Sequence, residues 1–226
     1  MTATDPVIEL VEVSAVHGRG AQARRTLAPT TFDIHRGESV AVVGRSGAGK
    51  STLAEVVLGL RPPEGGHVIV GGEHWCSHRV RPARAKRHLV QGVPQDPAAA
   101  FVPRWTLRHS IELAVRRLTG ENATERALHR AAELACLERE LLDRRPSEVS
   151  GGQAQRAAIA RAIAAGPAVI VADEPTSALD GATAEAVSSA LLGIVEHSEV
   201  ALLLVTHDPA FARRCTRTVT LTPVAH

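Results

Sequence analysis

The chain has no tyrosine, three phenylalanines and two tryptophans in 226 residues. A base-stacking surface built on several aromatic rings is therefore excluded. Net charge is only +2, so no global polyanion signature exists either, and no nucleic-acid partner is expected. Cysteine is almost as rare. Cys76, Cys136 and Cys215 lie far apart and are odd in number, which gives neither a metal spacing nor a disulfide framework. They read as reduced thiols of a cytosolic protein. No apolar run is long enough to span a bilayer: the most apolar stretch, Ala157 to Ala172, is broken by Arg161 and by Gly166-Pro167. Met1 to Pro6 has no basic region followed by an apolar run, which predicts no signal peptide.

What is present is a strand and helix alternation with two short motifs in it. Val7 to Val13 and Leu27 to Ile34 read as edge-type strands around a Gly- and Arg-rich hairpin loop, His17 to Arg25. Ser39 to Val43 is an apolar run of the kind found in a buried parallel strand. Lys50 to Leu60 has helical spacing, with Leu53, Val56, Val57 and Leu60 on one face. Val68 to Val70 and Leu89 to Val93 are further short strands. From Thr106 to about Ala165 there is no strand signal, and the spacing of Ile111, Leu113, Val115 and Leu118, then Leu128, Ala131, Leu134 and Ala135, predicts a helical insertion. Strands return at Val169, at Ala201 to Thr206 and at Thr218 to Leu221. An α/β core split by a helical lobe follows, with no internal repeat.

The first motif is Gly44-Arg45-Ser46-Gly47-Ala48-Gly49-Lys50-Ser51. Its glycines let the backbone wrap close to phosphate, and N–H groups up to Thr52 can point inward beside the positive end of a helix. Lys50 suits the β- and γ-phosphates and the Ser51 hydroxyl suits Mg²⁺. The second motif is Val169-Ile170-Val171-Ala172-Asp173-Glu174, an apolar strand ending in two carboxylates. Asp173 suits the Mg²⁺ shell, and Glu174 is placed to orient or deprotonate an attacking water.

Val149-Ser150-Gly151-Gly152-Gln153 resembles the signature of ATP-binding cassette (ABC) ATPases. The resemblance extends from about Val7 to Leu221. It implies one domain over residues 1–226: a P-loop core with an antiparallel β subdomain (1–95 and 166–226) and a helical lobe carrying the signature (96–165). It implies ATP and Mg²⁺ as cofactors. Gln95 matches the glutamine that touches Mg²⁺ or the attacking water. His207, between Val205-Thr206 and Asp208-Pro209, matches the histidine that contacts the γ-phosphate. Ser150, Gly151, Gly152 and Gln153, with Asp180 of Ser177-Ala178-Leu179-Asp180, match residues that meet ATP held by the opposite subunit. Where relatives carry an aromatic residue against adenine this chain has His17, whose ring offers less stacking area. After Gln153 it has Ala154, where many relatives carry Arg, Lys or Gln.

The interval from Lys50 to Ser150 is too short for the coiled coil of DNA-repair ATPases of related type. Gln95-Asp96-Pro97 and Pro103-Arg104-Trp105-Thr106-Leu107 look like the corresponding loop of peptide, nickel and metallophore importer ATPases, although Ala100-Phe101-Val102 replaces the usual Ser-Leu-Asn. Little chain follows His207, whereas longer peptide-importer subunits carry a cysteine-bearing extension; the shorter subunit of a nickel or metallophore system fits better. The implied partners are membrane permease subunits, a second ATPase subunit, identical or paralogous, and indirectly an extracellular substrate-binding protein. The implied location is the cytoplasmic face of the cell membrane, held peripherally. A non-transport ABC ATPase acting as an operon accessory or assembly factor, as in phosphonate degradation, is the alternative.

Overall fold

The computed structural model describes residues 5–18 and 24–224. Two sheets share the fold. Strands β1 (Ile8–His17), β2 (Arg24–Ile34), β4 (Gly65–Val70) and β5 (Glu73–Ser77) form an antiparallel sheet in the order β2-β1-β4-β5. Strands β3 (Ser39–Val43), β6 (Val90–Val93), β7 (Val169–Asp173), β8 (Ala201–Val205) and β9 (Arg217–Thr220) form a parallel sheet in the order β6-β7-β8-β3-β9.

The apolar runs of the parallel strands are continuous because both of their faces are covered. Alternate residues go to opposite sides. Val40, Val42, Val169, Val171, Leu203 and Val205 pack toward the antiparallel sheet and helix α1 (Lys50–Val57). Ile170, Ala172, Leu202 and Leu204 pack toward helices α2 (Leu107–Thr119), α3 (Glu125–Leu134), α4 (Gly151–Ala164) and α5 (Gly181–Ser198). Each fully buried Leu, Ile or Val side chain contributes about 1.5–3 kcal/mol, so the sheet is fixed from two independent directions.

Helix α4 starts on Ser150, whose hydroxyl accepts from the Gln153 N–H while the Gln153 side chain accepts from the Ser150 N–H. That reciprocal cap satisfies two groups a helix N-terminus leaves unpaired. Gly166, at φ 66, and Pro167 stop the chain from continuing as helix. A short helix, α6 (Pro209–Arg214), links β8 to β9.

Three local expectations change. Helix α1 ends at Val57 rather than Leu60, because Gly59 turns the backbone at φ 70; Leu60 leaves the apolar face and is 69% exposed. Strand β5 is an element the sequence pattern did not announce. It is reached through Gly71-Gly72, at φ 59 and 75, a pair suited to a tight hairpin turn. Strand β1 runs on to His17, so the loop expected over His17 to Arg25 is shorter; its residues 19–23 lie outside the described residues. Between Pro97 and Ala164 every regular element is helical.

Candidate functional site

The candidate residues gather at the carboxyl ends of the parallel strands, where open α/β sheets place their ligands. The loop Gly44–Gly49 follows β3, Glu174 follows β7, and His207 follows β8 with Thr206 between. The loop is shaped by backbone that side chains would obstruct. Gly49 sits at φ 93, and a Cβ there would stand 2.3 Å from the Thr26 carbonyl oxygen of β2. The antiparallel sheet thus supports the loop directly. Lys50 folds back over it, its Nζ donating to the carbonyl oxygens of Gly44 at 3.0 Å and Arg45 at 3.3 Å. Arg45, Ser46 and Gly47 are exposed along the loop, Ala48 is buried beneath it, and Thr52 is half-buried in the first turn of α1.

The Ser51 hydroxyl donates to Asp173 Oδ1 at 3.3 Å. Burial raises the Asp173 pKa above the ordinary carboxylate value; the Ser51 hydrogen bond opposes the rise, the Glu174 charge adds to it, and so, more weakly, does Glu55. A carboxylate held in that state is stabilised by a nearby cation. Ser51, Asp173 and Gln95 line one cavity of about 640 Å³ and offer hydroxyl, carboxylate and carboxamide oxygen. All-oxygen donors of that kind fit Mg²⁺ rather than a soft metal.

Glu174 is held in an uncommon backbone conformation, φ 48. A non-glycine residue there is strained, and the strain is fixed by its neighbours. Its N–H donates to the Val205 carbonyl at 2.9 Å, and its carbonyl accepts from the Ser177 N–H at 3.2 Å and hydroxyl at 3.1 Å. The side chain is thereby aimed at His207, with Oε2 at 2.7 Å from Nδ1. A carboxylate only accepts, so Nδ1 carries the proton. Gln95 Nε2 donates to the Ser177 hydroxyl at 3.0 Å.

The signature residues pack on the segment after Ser177 and on helix α5. Gly152 is buried, and a Cβ on it would be 2.1 Å from Thr183 Cγ2, so the start of α4 packs on the start of α5. Gly151 faces Leu179. Asp180 caps α5, accepting from the Thr183 N–H at 3.0 Å and hydroxyl at 2.8 Å; the Thr183 backbone bond leads in holding its carboxyl below the usual range. Ser150–Gln153 and Asp180 therefore share one surface. Among the described residues no hydrogen bond joins Ser150–Gln153 to the Gly44–Ser51 loop, and none of the four lines the cavity that holds Ser51.

His17 is exposed at the end of β1, paired in register with Arg24, which lies two residues before Thr26. That places it at the same end of the antiparallel sheet as the Gly49 contact. Three further residues come into view only with the structure. Ser177 links Gln95 to Glu174. Gln155, 1% exposed, donates from Nε2 to the Pro94 carbonyl at 3.0 Å and ties α4 to the segment carrying Gln95. Arg161 opens into the same cavity, its pKa lowered by burial. A polar residue on the buried face of an apolar helix was the available signal for Gln155. Cys76 is buried and its thiol pushed up to about 12, as an unreactive cysteine requires.

Residues 27–177 match the family model described as ABC transporter. The nickel import ATP-binding protein NikE of Pseudomonas putida is 39% identical over 196 residues, covering 84% of this chain and 71% of that protein. The probable peptide ABC transporter ATP-binding protein y4tS of Sinorhizobium fredii is 37% identical over 195 residues, covering 82% of this chain; the match spans 53% of that relative. The lipoprotein-releasing system ATP-binding protein LolD of Nitrobacter hamburgensis is 35% identical over 219 residues, 96% of this chain and 93% of that one. Among solved structures, the dimeric post-hydrolysis state of the ATP-binding cassette MJ0796 bound to ADP and Pi superposes with a TM-score of 0.82, at 28% identity, over 96% of this chain and 94% of that chain.

Proposed function

Because this chain belongs to the ABC transporter family and is an ABC-type ATPase that uses ATP and Mg²⁺, we propose that it powers transport as one of two cassettes joined head to tail. Each ATP then lies between the Gly44–Ser51 loop of one subunit and Ser150–Gln153 of the other. The carrying observation lies within one chain: Glu174, His207, Ser51 and Asp173 converge, while among the described residues Ser150–Gln153 make no hydrogen bond to the Gly44–Ser51 loop and start a helix that packs on Leu179 and Thr183. A complete site needs a second copy or a paralogue.

In the cycle, Lys50 exchanges the Gly44 and Arg45 carbonyls for the β- and γ-phosphates. Ser51, Asp173 and Gln95 would hold Mg²⁺, which supplies charge neutralisation at the phosphates. Glu174 orients or deprotonates the attacking water, and His207, held by Glu174 through Nδ1, presents Nε2 to the γ-phosphate. His17 covers the adenine. Residues 96–165 act as the helical lobe that passes the opening and closing of the dimer to permease chains, with Phe101 buried in the lobe's core and Val102 42% exposed beside it.

The similarity to nickel and peptide importer subunits, together with Gln95-Asp96-Pro97 and Pro103-Arg104, supports import of peptides, nickel or metal chelates delivered by an extracellular binding protein. Among the described residues no helix is long and apolar enough to cross a membrane, and a peripheral position on the cytoplasmic face is proposed. The likeness to LolD over nearly the whole chain favours a second reading, a different transport cargo, and a non-transport accessory role is the third. Purification from detergent-solubilised membranes tests these. Two permease chains and a second cassette are expected; only soluble partners would favour the accessory role, and the permease's identity decides the cargo.

A further inference from the structure

The Ser177 hydroxyl stands between two parts of the site. Its oxygen is 3.0 Å from Gln95 Nε2 and 3.1 Å from the Glu174 carbonyl oxygen. A hydroxyl has one proton to donate. Given to the Glu174 carbonyl, that proton leaves Ser177 only an acceptor toward Gln95. The NH₂ group of Gln95 must then face Ser177, and the carboxamide oxygen faces away. A reversed amide would set two acceptors against each other or pull the hydroxyl off Glu174. The backbone beside Gln95 is fixed as well, since buried Gln155 donates to the Pro94 carbonyl at 3.0 Å.

Gln95 lines the cavity that also holds Ser51 and Asp173. Carboxamide oxygen is a ligand for a hard cation and carboxamide nitrogen is not. We infer that Ser177 is a positioning residue for the cation site: it sets the Gln95 amide with its oxygen available to the cation, and it links that setting to the backbone of Glu174. The inference rests on the ATPase site proposed above and adds a residue to it. It gives Ser177 a role inside its own subunit. A free carboxamide has two nearly isosteric orientations, and without Ser177 nothing else bonded to Gln95 among the described residues selects one.

The test is Mn²⁺ binding, followed by electron paramagnetic resonance, to the full chain loaded with a non-hydrolysable ATP analogue. Ser177→Ala is expected to weaken Mn²⁺ about ten-fold, the usual effect of losing a group that orients a metal ligand. Ser177→Thr keeps the hydroxyl and should restore wild-type affinity, which also covers the case in which alanine disturbs the turn. Affinity for the analogue in EDTA should be the same in the wild type, Ser177→Ala and Ser177→Thr. Ser177→Ala should add nothing to the loss caused by Gln95→Ala, because both act through one group. Unchanged Mn²⁺ affinity in Ser177→Ala, or the same further loss in the Gln95→Ala background, overturns the role of Ser177 while leaving the ATPase site standing. A wild-type chain that takes up neither analogue nor Mn²⁺ overturns both.

Discussion

Glu174 Oε2 and His207 Nδ1 lie 2.7 Å apart, with the glutamate side chain 18% exposed and the histidine 69% exposed. The inner partner is held by strained backbone and the outer one reaches into solvent. The pair thus presents a proton acceptor and a ring nitrogen to whatever occupies the space beside the Gly44–Ser51 loop.

Glu174→Gln keeps the shape and hydrogen-bonding reach but removes the base. Turnover should fall by roughly 10²–10⁴-fold. ATP-bound dimers should accumulate, visible by light scattering in the presence of ATP. ATPase rates near wild type would remove Glu174 from that role.

Ser150→Arg places a bulky cation on the surface that Ser150 shares with Asp180. Nucleotide affinity of the monomer should stay as in the wild type, while hydrolysis is abolished. Loss of monomer affinity would mean that the signature serves its own chain's nucleotide.

Asp173 is raised mainly by burial, and so ionised Asp173 disfavours the nucleotide-free fold. Its contribution is fully present below the ordinary carboxylate pKa and is lost as pH rises through the raised folded-state value. Asp173→Asn should melt like the wild type in acid and above it near neutrality, by about 2–4 °C for each kcal/mol relieved in a chain of this size. The same variant should bind Mn²⁺ more weakly. A lower melting temperature at neutral pH would contradict the account.

His17→Ala removes the ring expected against adenine. Nucleotide affinity should fall by about 2- to 10-fold, the range for one stacking contact. Equal affinity in a fluorescent-nucleotide titration would leave His17 as a surface residue of β1.

Much of the candidate site was legible because its motifs combine unusual residue types at fixed spacing. Gly44 to Ser51 places glycine where the backbone takes positive φ and passes close to Thr26, and Asp173-Glu174 ends a strand that is otherwise wholly apolar. Other features left weaker traces. The end of α1 depends on Gly59 adopting φ 70, which an apolar pattern running on to Leu60 conceals. Strand β5 carries three polar residues among its five and was visible only through Gly71-Gly72. Ser177 and Gln155 are ordinary residues whose partners lie far away in sequence.

By itself the sequence determined the apolar strands of the parallel sheet, the helical stretch after Pro97 and the positions of the Gly44–Ser51 and Asp173-Glu174 motifs, because these depend on local periodicity and short-range spacing; the family followed from the resemblance those motifs carry. Only the tertiary structure decided that Glu174 holds His207, that Gln95 hydrogen-bonds Ser177, and that the start of α4 packs beside Leu179 and Thr183, next to Asp180. Those relationships arise from strand order β6-β7-β8-β3-β9 and from α4 packing on α5, which bring together residues that no local pattern connects.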